Sequence, residues 1–163
     1  GVRILDGGLA AWERAGYQIV GGPGNLGRGQ AQEVVAGQLP VATIDEVKNF
    51  DGVLIDTREA NRYAGRKERL DLKAGHIPGA VSVPTREILN PDNTFRPAEE
   101  IRATFEKVGV TDPNNVIVYS GSGVHSAQAI AAMHHAGLPG AALYLGGWSQ
   151  WCADRNNPVE RSD

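Results

Sequence analysis

Hydrophobic positions fall in short clusters along the chain, separated by glycine, proline and charge. Val53-Leu54-Ile55-Asp56 and Val116-Ile117-Val118-Tyr119 are near-continuous apolar runs of strand length, each followed by polar or turn-forming residues. Residues that are apolar on both faces mark strands buried inside a parallel sheet. Ala80-Val81-Ser82-Val83, ahead of Pro84, predicts a third short strand. Between these runs the period lengthens. Thr43-Ile44-Asp45-Glu46 has the form of a capping box, with Thr43 as N-cap, and predicts a short helix through Val47 to Phe50. Residues 97–105 predict a helix with Pro97 early, Glu99 and Glu100 in its first turn, and Ile101 and Phe105 on one stripe. Residues 127–133 predict another. Residues 57–65 predict one or two helical turns that place Arg58 and Arg62 on one face, four positions apart. Alternating strands and helices predict an α/β fold, a parallel sheet with helices on both faces.

In such sheets ligands bind beyond the carboxyl ends of the strands. Asp56, Arg58, Arg62 and the loop Ser120-Gly121-Ser122-Gly123-Val124 all fall at those ends. A loop between a strand and a helix amino terminus presents unpaired N–H groups, and the helix dipole adds partial positive charge. Glycines let successive amides turn inward as an anion-binding nest, with position 120 in the cradle. The loop lacks the Lys-Ser/Thr ending of an NTPase phosphate loop and the Gly-x-Ser-x-Gly of a hydrolase elbow. A cysteine phosphatase would need arginine six positions after its nucleophile, and position 126 is serine. A plain structural turn stays open as the alternative.

The two ends of the chain repeat each other. Gly7 with Gly146, Gly8 with Gly147, Trp12 with Trp151 and Val20 with Val159 match at one common spacing. A duplicated unit follows. On this reading residues 1–20 are the last strand and helix of an incomplete front domain, 21–41 are a linker rich in glycine and proline, and 42–163 form a second domain. Residues 32–35 have strand-like composition within the linker. Residues 2–5 are expected to be a strand belonging to the front sheet, with Leu5, Leu9 and Trp12 buried against it. An unpaired strand edge recruits another chain, so the expected partner is a separate front-domain polypeptide or a symmetry mate.

Composition narrows the function. Over 163 residues, 41% are apolar and 21% charged, and the formal charge is −3, which supplies no basic surface for nucleic acid and no polybasic membrane signal. Cytoplasm is the default location. The single cysteine, Cys152, is expected as a buried inert thiol. His125, His134 and His135 have no cysteine or carboxylate partners at metal spacing, so neither a metal nor a cofactor is expected.

Four motifs combine: Asp56-Thr57-Arg58 with Arg62-Tyr63 and Gly65; Gly75-His76-Ile77-Pro78-Gly79; Val118-Tyr119-Ser120-Gly121-Ser122-Gly123-Val124; and Leu145-Gly146-Gly147-Trp148-Ser149-Gln150-Trp151. In this order over residues 43–160 they resemble the C-terminal domain of tandem rhodanese sulfurtransferases, and residues 2–20 resemble the end of that family's N-terminal domain. The resemblance implies a loop cysteine that takes a sulfane sulfur from thiosulfate or 3-mercaptopyruvate. It holds the sulfur as a persulfide and passes it to a thiol or cyanide. The loop body looks more like the mercaptopyruvate branch. Arg62 and Arg58 match substrate-binding arginines, with Asp56 orienting them, and Gly121, Ser122, Gly123 and Val124 match the cradle. Position 120 departs from the family: Ser120 stands where the nucleophilic cysteine is expected, so the chain as written is expected to be silent. A deliberate substitution in an active enzyme and a natural inactive copy both stay open, as does a non-catalytic binding module of the same fold. A hydrolase using Ser120 ranks below these because no general base accompanies it.

Overall fold

In the computed structural model, which describes residues 3–24, 27, 29, 35 and 37–162, the apolar runs become strands of one sheet. In chain order the elements are α1 (Gly8–Arg14), β1 (Val41–Ala42), α2 (Ile44–Lys48), β2 (Val53–Asp56), α3 (Ala60–Tyr63) and β3 (Val81–Ser82). They continue with α4 (Ala98–Lys107), β4 (Val116–Tyr119), α5 (Val124–His135), β5 (Ala142–Tyr144) and α6 (Gly147–Ala153). The five strands run parallel in the order β1-β5-β4-β2-β3. Helices cover both faces. On the central strand, Val116 and Val118 enter a core with Ile101 and Phe105 of α4 and Ile130 and Met133 of α5. Ile117 and Tyr119 alternate to the other side, with Val47 of α2 and Trp148 and Trp151 of α6.

This topology creates a crevice. Asp56 pairs in register with Tyr119, so β2 and β4 end level. From β2 the chain crosses to β3 on one side; from β4 it crosses to β5 on the other. The point where the path reverses is where open parallel sheets bind ligands.

The capping box forms: Glu46 N–H donates to Thr43 Oγ1 at 3.3 Å, and Thr43 N–H donates to the Glu46 carboxylate at 2.6 Å. Several expectations are corrected. Val41, assigned to the linker, pairs with Leu143 as an edge strand too short to give a periodic signal. Arg58 does not share a helical face with Arg62, because α3 starts only at Ala60. Helix α5 starts at Val124 rather than 127, since Gly123, at φ 87°, already turns the chain into its first turn. Arg3, Ile4 and Leu5, expected as a strand of a front sheet and not of this one, form no strand here; Val2 lies outside the described residues. The strand considered for 32–35 falls outside the described residues except for Val35.

The first segment docks through polar contacts. Phe95 N–H donates to Asp6 Oδ1 at 2.9 Å, and Arg14 lies 3.6 Å from Asp92. Its apolar residues Leu5, Leu9 and Trp12 remain exposed. Helices α1 and α6 begin at the corresponding glycines of the repeat and have the same length, seven residues. Among the described residues no helix is long and apolar enough to cross a membrane.

Candidate active site

Ser120 follows the last residue of β4 and is 1% exposed. Its Oγ accepts the Gly123 N–H at 3.0 Å and lies 3.1 Å from Ser126 Oγ. Ser126 Oγ also lies 3.0 Å from Gly123 O, to which it donates when Ser120 supplies the proton between the two serines. Ser126 thus folds the loop onto its first residue. No carboxylate, imidazole or amine hydrogen-bonds Ser120 among the described residues, which leaves the hydrolase alternative without a base. The amides of Gly121, Ser122, Val124, His125 and Ser126 donate to no acceptor among the described residues. That row of free donors lies at the amino end of a twelve-residue helix, a place where backbone N–H groups and the helix dipole favour negative charge. Around it Ser122 and Val124 are exposed and Gly121 is half-buried.

Helix α6 fixes the loop from the other side. Trp148 N–H donates to Ser120 O at 2.8 Å, and Ser149 N–H donates to Gly121 O at 3.1 Å. This approach requires a glycine at 147, whose φ is 54°; a Cβ there would lie 2.7 Å from Gly121 O and nearer still to Ser120 O. Gly147→Ala is therefore expected to lower stability by at least about 2 kcal/mol, from left-handed strain and overpacking. Chemical unfolding measures the loss, and a change within error would contradict the contact's role.

The two arginines part company. Arg58 is 1% exposed and forms a closed pair with Asp56, Nη2 to Oδ2 at 2.6 Å, under the ring of Trp148 at 4.6 Å. Burial works against its charge, but bonding to Asp56 prevails and keeps the guanidinium firmly protonated. Asp56 therefore orients Arg58 alone, and Arg58 faces the interior. Arg62 is the arginine at the loop: its Nη1 is 3.7 Å from where a Cβ on Gly121 would stand. Its Nε and Nη2 are held by Glu68 at 3.2 and 3.0 Å, and Nη2 also by Asp71 at 2.7 Å. Burial alone would raise the Glu68 carboxyl, yet the amides of Leu70 and Asp71 and the Arg62 guanidinium hold it below its ordinary range. The charge run at 66–73, a composition that ordinarily marks a solvated loop, supplies two nearly buried carboxylates, Glu68 and Asp71. Asp71 also accepts from Ser149 Oγ at 2.6 Å, which ties Arg62 to the helix that holds the loop. Burial, then the charge of Asp56, pushes the Tyr119 phenol well above its usual value, so the residue before Ser120 is a neutral hydroxyl. Cys152 is buried in the core under α6.

A match to the rhodanese-like domain covers residues 41–154. The chain belongs to the rhodanese-like domain family. Over 98% of its length this rhodanese-like chain is 38% identical to the "Putative thiosulfate sulfurtransferase SseB" of Mycobacterium tuberculosis. Over 98% it is 33% identical to the 3-mercaptopyruvate sulfurtransferase of Escherichia coli. It spans 57% and 58% of those two proteins. Among solved structures, 99% of the chain superposes on 41% of the anaerobic ergothioneine biosynthesis enzyme from Chlorobium limicola in complex with trimethyl histidine, at TM-score 0.84 and 26% identity. The similarity to sulfurtransferases agrees with the reaction class that the motifs implied.

Proposed function

We propose that this rhodanese-like chain is the part of a sulfurtransferase that presents the sulfur-carrying loop, and that Ser120 leaves it catalytically silent. The reading rests on one observation: a cradle of free amides with Arg62 beside it, in a chain similar over nearly all its length to sulfurtransferases. With a cysteine at 120, the thiolate attacks the outer sulfur of thiosulfate, or the sulfur of 3-mercaptopyruvate, and sulfite or pyruvate leaves. A thiol or cyanide then takes the sulfur and restores the thiolate. The helix amino terminus and the loop amides stabilise both the thiolate and the persulfide. Serine cannot carry sulfur in this way, and its hydroxyl is held by Ser126 and Gly123. That closed serine favours a second reading, a non-catalytic module that binds an anion or partner through the same loop.

Both readings require anion binding, and they separate on sulfur transfer. Sulfate or pyruvate titrated into the chain should shift the amide resonances of Gly121 to Val124. Arg62→Ala should weaken that binding by about 1.5–3 kcal/mol, the scale of a hydrogen bond to a charged group. Equal affinity in the two proteins would remove Arg62 from the site. Sulfur transfer itself is tested by Ser120→Cys, which should acquire a persulfide from one of the two donors.

The same reading assigns residues 1–20 to the end of a front rhodanese-like domain and 21–40 to a linker. The exposed Leu5, Leu9 and Trp12 support it, since a front sheet laid against α1 would cover them. It also places the protein with small-molecule donors and thiol or cyanide acceptors, in the cytoplasm.

A further inference from the structure

The charges packed around the loop do not favour a highly charged anion. Arg58 and Arg62 face three carboxylates, Asp56, Glu68 and Asp71, and all three carboxylate side chains are at most 9% exposed. This buried group carries a net charge of −1. A cleft of about 760 Å³ that His125, the residue after the loop, helps to line carries Glu59 and Glu87 against Arg86. Of the other basic residues of the segment, Arg66, Lys67 and Arg69 are exposed, where salt at about 0.15 M screens charge over about 8 Å, and Lys73 is half-buried with its ammonium turned onto the carbonyls of Asp154, Arg155 and Asn157 rather than toward a carboxylate. What attracts a ligand is then mainly the amide cradle, made of fixed dipoles, together with the free Nη1 edge of Arg62.

Of the three carboxylates, two are needed for local structure. Asp56 neutralises the buried Arg58, and Glu68 accepts the amides of Arg69, Leu70 and Asp71 at 2.9, 2.9 and 3.2 Å and so shapes its own loop. Among the described residues Asp71 accepts only from Arg62 and Ser149, both of which border the cradle. We propose that Asp71 is a specificity-determining residue: its charge makes the loop site take singly charged ligands, such as a keto-acid sulfur donor, in preference to doubly charged oxyanions. The inference rests on the reading of the loop as an anion site. Its physical content is a scaling law. Coulomb energy is proportional to ligand charge, so removing one fixed charge multiplies monoanion affinity by some factor and dianion affinity by the square of that factor.

The test titrates the full chain and Asp71→Asn with pyruvate and with sulfate, at constant ionic strength near 0.15 M, and reads the amide shifts of residues 121–126. Asparagine keeps an acceptor for Ser149. In the unaltered chain pyruvate should bind at least as tightly as sulfate, and the reverse order would overturn the proposal without need of a variant. Asp71→Asn should bind pyruvate about threefold and sulfate about tenfold more tightly, for a charge one guanidinium away in a water-like dielectric. Asp71→Ser should show the same pattern, whereas Ser149→Ala, which alters position and not charge, should change both affinities by one common factor. Equal factors for the two anions in the Asp71 variants, or no change, overturn the proposal and leave the cradle standing. Binding of neither anion at the loop amides, in any of the proteins, overturns the cradle and this inference together.

Discussion

Asp56→Ala is expected to destabilise the fold by about 3–5 kcal/mol, because it leaves the charge of Arg58 buried without its partner. The Arg58 guanidinium meets both Asp56 oxygens, through Nε at 3.1 and 3.0 Å and Nη2 at 2.6 Å, and the Arg58 amide donates to the same carboxylate at 2.9 Å. Among the described residues only Gly75 O, at 2.6 Å from Nη2, would remain as a direct acceptor, with Glu68 3.6 Å from Nη1. Nη1 is buried and makes no hydrogen bond even now. The face of Trp148 offers some relief to a cation, but far less than a carboxylate does. Urea unfolding with an unchanged slope would report the loss as stability. The double variant Asp56→Ala with Arg58→Met should regain most of it, since removing both charges also removes the desolvation cost. A single-variant loss below about 1 kcal/mol would mean that water reaches Arg58.

That pair also marks where the sequence stops being readable. Strands β2 and β4 could be read because each is an apolar run, and Asp56 and Ser120 could be placed at the sheet's functional edge because each closes its run. The same local signal makes Arg58 and Arg62 look equivalent. They differ through contacts made by distant segments: Trp148 covers one, and Gly121 stands beside the other. Glu68 and Asp71 were hidden inside the run Arg66-Lys67-Glu68-Arg69-Leu70-Asp71-Leu72-Lys73, where local composition indicates solvent. Only the fold brings Asp71 against Ser149, many residues away. Ser126 was noticed for not being arginine, but its bond back to Ser120 depends on α5 starting at Val124, three residues earlier than its composition suggests. The glycines at 146 and 147 stood out through the repeat. The reason for Gly147, an approach of α6 to the carbonyls of Ser120 and Gly121, is tertiary.

Position 120 decides the chemistry. Ser120→Cys places a thiol where the Gly123 amide already points, at the start of a row of free donors and the amino end of α5. Such surroundings lower a thiol's pKa and make it a better nucleophile near neutral pH. The largest functional effect is expected here, a gain from no sulfur transfer to a measurable one, with Arg62→Ala reducing it in the same background. The core thiol of Cys152 is 2% exposed and should remain unmodified, which makes it an internal control.

The most direct measurement is the intact mass of Ser120→Cys after incubation with thiosulfate or 3-mercaptopyruvate, alone and with a front rhodanese-like domain supplied. The account predicts the mass increment of one sulfur atom, mapped to position 120, lost on adding cyanide or a thiol, and absent from the serine protein. An unmodified thiol at 120 with both donors and the front domain present would contradict the sulfurtransferase reading and leave the loop as a binding site alone.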